Sequence, residues 1–97
     1  MFVSKSKSEA VDELFQAIML LQTEEECYRF FEDLSTIPEI KSLAQRLQVA
    51  KMLVNKETYT AISDKTGAST ATISRVKSAL FYGADGYKLI FQKINQD

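Results

Sequence analysis

Apolar positions recur at helical spacing in six separate runs along the chain, and no alternating strand pattern of useful length interrupts them. Val11, Leu14, Phe15 and Ile18 form the first run. Ser6 followed by Glu9 is a capping-box signature, so this helix is expected to run from there to near Gln22. Thr23 and Glu26 repeat the signature ahead of a second stripe, Cys27, Phe30, Phe31 and Leu34. Glu24, Glu25 and Glu26 then fall in a first turn, where the helix dipole favours anions; capping explains them better than metal binding. Ser35 and Thr36 break the pattern, and Pro38 is acceptable in the first turn of a third, longest helix. Its apolar positions run from Ile40, Leu43, Ala44 and Leu47 to Val49, Ala50, Leu53 and Val54, closed by the NKE turn. Two short runs flank Gly67, and Tyr87, Ile90, Phe91 and Ile94 stripe a last helix after the Gly83–Gly86 turn, with Asp85 as its candidate cap.

The pattern predicts an all-α fold of about six helices in a single domain over 1–97. A polar lead covers 1–7, helices with large apolar faces cover 8–55, a helix-turn-helix covers 58–80 and a final helix covers 84–95. A chain of 97 residues is near the small end of what folds alone. Six amphipathic helices carry more apolar face than one such core can bury, so a homodimer is expected.

Composition narrows the chemistry. There is no histidine and only one cysteine, Cys27, which leaves no His-based acid–base catalyst, no intrachain disulfide and no zinc cluster. Cys27 lies on an apolar stripe and is expected in the core. The acidic pairs Glu32–Asp33 and Glu24–Glu26 have no partnering nucleophile or base, so neither an enzyme nor a metal site is expected. Tyr82 and Tyr87 read as packing residues, because single-strand binders interleave aromatics with several basic residues. The run LFQAIMLL is too short to span a bilayer and there is no signal-peptide layout, so cytoplasmic residence without membrane contact is expected.

The net charge is −1, but its distribution is uneven. Residues 1–40 hold three Lys/Arg against nine Asp/Glu, and residues 41–97 hold nine against four. A basic second half suits a polyanion.

The stretch TYTAISDKTGASTATISRVKSAL, residues 58–80, carries the functional signal. A helix-turn-helix needs a residue tolerant of positive φ between its two helices, and Gly67 fills that position. Ile62, Ala68, Ile73 and Val76 are spaced to pin the helices together, with Thr58 and Ser69 as their N-caps. The second helix then presents Thr70, Ala71, Ser74 and Lys77 outward, flanked by Thr72 and Ser78. Hydroxyls suit base edges and phosphates, and Ala or a Thr methyl suits a thymine methyl. Lys65, Arg75 and Lys77 add phosphate neutralisation. Ordinary helical hairpins share the helix–Gly–helix pattern, and Ser63 stands where such units usually carry a small apolar residue.

The segment TGASTATISRVKSAL, with its ATISR core, resembles the recognition region of the Trp repressor superfamily. With STIPEIKSLAQRLQVAKML before it, the chain from Phe15 to Asp97 resembles the bacterial YerC/YecD group of Trp repressor-like proteins. The resemblance implies a Trp repressor-like intertwined homodimer bound to double-stranded DNA, with two recognition helices about one helical turn apart. It implies DNA-facing positions at Thr60, Ser63, Gly67, Ala68, Thr70, Ala71 and Ser74. It also places Arg46 and Arg75 where the repressor's two arginines sandwich tryptophan. Val76 replaces a glycine there and Ala79 replaces a serine, so the pocket is not expected to hold tryptophan. An unidentified small-molecule corepressor, or none, is left. Arg75 is open to three readings: a phosphate contact, a partner for Asp64 or Glu57, or half of a pocket for another ligand. The expected function is a dimeric, sequence-specific transcriptional regulator of repressor type. The alternative is a helical protein–protein interaction module that keeps the fold without binding DNA.

Overall fold

The computed structural model describes residues 1–95, so the last two residues of the expected domain lie outside the described part. Six helices follow in order: α1 Glu9–Ile18, α2 Glu24–Leu34, α3 Ile37–Val54, α4 Tyr59–Thr66, α5 Thr70–Tyr82 and α6 Gly86–Ile94. Among the described residues there is no strand, and the fold is all-α. The chain divides into two compact units, Met1–Ile40 and a second beginning at Lys41, with the boundary inside α3.

In the first unit the helix starts follow capping chemistry. At α2, Glu26 N–H donates to Thr23 Oγ1 at 3.1 Å, and Glu26 Oε1 accepts from Gln22 N–H at 2.8 Å. At α3 the capping box is reciprocal: Glu39 N–H donates to Thr36 Oγ1 at 3.2 Å and Thr36 N–H to Glu39 Oε1 at 2.8 Å. The backbone N–H of Thr36, with its hydroxyl second, holds the Glu39 carboxyl below the usual glutamate range.

Two boundaries differ from the sequence expectation. The cap of α1 is Ser8, not Ser6: Ser8 Oγ accepts from Val11 N–H at 3.1 Å, while Ser6 is turned toward Ser4. The helix also stops at Ile18 rather than near Gln22: Leu20 and Leu21 N–H turn back to the Ala17 and Ile18 carbonyls at 3.1 Å, and Gln22 N–H is taken by the Glu26 carboxylate. Asp85 precedes α6 at φ +63° and makes no side-chain cap bond.

No residue before Val49 is buried in the single chain. Phe30 and Phe31 meet edge to face at 5.8 Å, but Phe15, Leu34 and Ile37 are about half exposed or more. Cys27, expected in the core, is exposed as well, since the stripe it belongs to is not covered by the chain itself.

The core belongs to the second unit. Val49, Ala50 and Met52 of α3 pack with Ile62, Ala68, Ile73 and Val76, and Leu53, Tyr59, Tyr87 and Phe91 lie against them. Val49, Ile62 and Ile73 are fully buried. Each removes an apolar side chain from water at about 1.5–3 kcal/mol, so these three dominate the placement of α4 and α5 on α3. Helix α3 ends in a Schellman motif with Lys56 at φ +62°. Lys56 N–H donates to Leu53 C=O at 3.0 Å and Glu57 N–H to Met52 C=O at 3.1 Å.

Candidate nucleic-acid interface

The helix-turn-helix is built as the sequence predicts. Thr58 caps α4 by accepting Ala61 N–H at 3.1 Å, and Ser69 caps α5 by accepting Thr72 N–H at 3.1 Å. Gly67 ends α4 at φ +75°, and its N–H returns to Ser63 C=O at 2.8 Å. The Thr66 hydroxyl bonds the backbone on either side of that glycine. Thr66 Oγ1 donates to Ile62 C=O at 2.7 Å and accepts Ala68 N–H at 3.1 Å. The turn is therefore pinned on both sides of its glycine.

Helix α5 buries Ile73, Val76 and Leu80 and leaves Thr70, Ala71, Ser74, Lys77 and Ser78 exposed. This outward face is rich in hydroxyls and carries Lys77, with Arg75 exposed beside it. No acidic residue lies in its first turn, so the unpaired amides at that end face no carboxylate competitor for a phosphate. Thr72 is half-buried and its hydroxyl bonds Ser69 Oγ at 3.1 Å, which makes it part of the cap. Thr60 and Lys65 are exposed on α4, and Ser63 is half-buried. The Lys77 ammonium lies 5.8 Å from the centroid of the Tyr59 ring, a cation–π contact that joins α5 to the start of α4.

Two candidate positions, Ala68 and Val76, lie in the core, as their spacing also predicts. Ala68 is 2% exposed and its side chain packs in the core, so it pins the two helices and cannot face DNA. Val76 is buried in the same cluster and is not available as a pocket wall. Arg75 forms no ion pair with Asp64 or Glu57; the salt bridges among the described residues join Lys7 to Asp12, Arg29 to Glu25 and Lys88 to Asp85. Arg75, Arg46 and Ala79 are all exposed in the single chain. The two clefts of the second unit that share Val54, Phe91 and Asn95 include none of them. Among the described residues no group of three or more His, Cys, Asp and Glu could hold a metal ion, and no helix is long and apolar enough to cross a membrane.

Three residues of the site were not singled out by sequence. Thr66 staples the turn through its hydroxyl, Tyr59 receives Lys77, and Gln45 of α3 donates from Nε2 to Thr66 C=O at 3.0 Å. The threonine had a readable signal, a hydroxyl beside a helix-ending glycine. Gln45 had a weaker one, a polar residue in register with Val49 and Met52.

The arrangement has counterparts. The profile of the family described as Trp repressor protein matches residues 9–95. The chain is 52% identical over 96 residues to an uncharacterized protein, YerC, of Bacillus subtilis, covering 99% of this chain and 92% of that one. A crystal structure of a TrpR-like protein from Eubacterium eligens superposes with a TM-score of 0.91 at 55% identity, over 95% of each chain. A Staphylococcus aureus protein proposed to be a Trp repressor gives a TM-score of 0.91 at 52% identity, over 100% of this chain and 97% of that one.

Proposed function

The chain belongs to the Trp repressor family, and from that premise we propose that it is a homodimeric, sequence-specific DNA-binding transcriptional regulator whose α5 enters the major groove. The observation that carries this reading is the doubly capped brace, left-handed glycine turn and second helix with an exposed face of small hydroxyls. A helix serving only packing would gain stability from stronger helix formers at Thr70, Ser74 and Ser78. The basic balance of the second half supports the same partner.

Dimerisation is supported by the absence of any buried residue before Val49 in the single chain. Helices whose apolar stripes find no cover in their own chain gain it from a second copy. Tryptophan does not suit this chain as corepressor. Val76 occupies the core where the resemblance places a glycine, and Ala79 lacks the hydroxyl of the serine it replaces. If a corepressor acts, it is a different small molecule.

The test is selection of bound duplexes from a random library, followed by anisotropy titration at several salt concentrations. A selected consensus whose log affinity falls linearly with log salt supports the reading. Binding no tighter than to heparin or single strands overturns it. The sparse cations of α5, with Lys77 already against Tyr59, favour one rival, a helical interaction module. Unchanged function in a Lys65→Glu/Lys77→Glu variant, with a stable protein partner, would select that rival.

A further inference from the structure

A helix that ends at a left-handed residue leaves its last carbonyls without intrahelical partners. In α4 this applies to Thr66, from which the chain departs through Gly67 at φ +75°. Thr66 is half-buried, so its carbonyl is not freely hydrated. The Gln45 side-chain amide takes the acceptor at 3.0 Å. Every other side-chain hydrogen bond among the described residues joins partners five or fewer positions apart, whereas this one spans 21.

The place of Gln45 on α3 explains its identity. Ser42, Gln45, Val49 and Met52 recur at helical spacing and are half-buried or buried, while the neighbours Ala44 and Arg46 are exposed. An apolar residue would continue the stripe that packs on the helix-turn-helix. A glutamine stands at the point where the incoming backbone carries an orphan acceptor.

We propose that Gln45 is a positioning residue for DNA readout, latching the turn of the helix-turn-helix to α3 through the Thr66 carbonyl. The inference rests on the DNA-binding reading above. Helix α5 starts at Thr70, and Thr66 and Ser69 between them hold the turn rigid. Fixing Thr66 thus fixes the amino-terminal end of α5, the end that meets bases. A 13-residue helix is about 20 Å long, so a swing of about 10° about its far end moves that terminus by about 3 Å. Base-edge hydrogen bonds do not survive such a displacement.

Three substitutions test the latch. Gln45→Glu is isosteric but cannot donate when ionised, Gln45→Met keeps volume without a donor, and Gln45→Lys keeps a donor. The amide exchange of Gly67 and Ala68 should accelerate about tenfold in the Glu and Met variants and stay near the parent rate in the Lys variant. Exchange at Val76 should not change. Affinity for the selected duplex should fall about tenfold in Glu and Met, with affinity for an unrelated duplex unchanged, and Lys should restore the ratio. If the Met variant does not fold, the Glu–Lys pair carries the comparison. Unchanged exchange at Gly67 and Ala68, or faster exchange with intact cognate affinity, or a Lys variant no better than Met, overturns the proposal. If the parent protein binds no duplex, the positioning role falls with the DNA reading, while exchange still reports whether the latch itself exists.

Discussion

The three glycines answer differently to alanine, and the signs follow from backbone geometry. At Gly67 an added Cβ meets nothing within 4 Å, so packing contributes nothing to the outcome. The cost is the φ of +75° alone. An L-residue in that region loses about 1–2 kcal/mol, partly offset by the smaller conformational freedom of alanine in the unfolded chain. A net loss of about 1 kcal/mol is expected. Gly86 has the same open space without a positive φ and begins α6, so alanine there should stabilise by about 0.4–1 kcal/mol. At Gly83 the new Cβ would press on the carbonyl oxygen of Ala79, which is backbone and cannot swing aside. Relief requires moving the end of α5, and a loss of about 1–3 kcal/mol is expected. Urea unfolding at one fixed protein concentration measures all three, because assembly would otherwise enter the free energy. With m near 1–2 kcal/mol/M, the Gly67→Ala midpoint should drop by about 0.5–1 M. A Gly67→Ala midpoint equal to the parent's, or a Gly86→Ala variant that loses stability, would refute the assignment of the Gly67 cost to φ.

Lys56→Gly should stabilise the protein by about 0.5–1 kcal/mol in the same assay, since Lys56 holds a left-handed conformation at the end of α3; a loss of stability would mean the lysine side chain matters there. Lys77→Gln should lower the slope of log affinity against log salt by about 1 if the ammonium reaches a phosphate, and an unchanged slope would confine it to Tyr59. Phe15→Asp, at an exposed apolar position of α1, should convert a dimer to monomer in analytical ultracentrifugation; a sedimentation profile identical to the parent's would place Phe15 outside the interface. Glu39 should titrate below the ordinary glutamate value in a carboxyl NMR titration. Its folded value is depressed, so its contribution to stability is present above the unfolded value and lost as pH falls through the folded one. Thr36→Val should return the shift only in part, because the backbone N–H of Thr36 is the larger cause and survives the substitution.

What could be read from sequence was the local chemistry. Thr58, Gly67 and Ser69 announce cap, turn and cap by residue type, and each does its expected task through atoms within four positions. Competition between neighbours was harder to read. Ser6 and Ser8 both offer a hydroxyl before α1, and only the fold shows that Ser4 engages the first and leaves Ser8 to cap. Ala68 and Val76 each carried two readings, helix pinning from their spacing and DNA or ligand contact from the resemblance, and both side chains lie in the core. Gln45 was out of reach for another reason. Its partner is a carbonyl made available by a turn 21 residues away, and no local pattern encodes that meeting. Cys27 and the stripes of α1 and α2 were expected to be covered and are exposed in the single chain, because periodicity marks an apolar face without saying what packs on it.

If the chain dimerises as proposed, the lack of any interior in its first forty residues makes abundance a structural variable. On the dimer reading, α1 and α2 acquire their packing in a second-order step, so dilution unravels them much as heating unravels an ordinary core. Newly made chains at low copy number would hold a formed α4–α5 pair on a frayed amino-terminal half. Only above the pairing concentration would two reading heads share one rigid frame. Occupancy of a two-part operator would then rise with roughly the square of chain concentration, giving a threshold with no ligand involved.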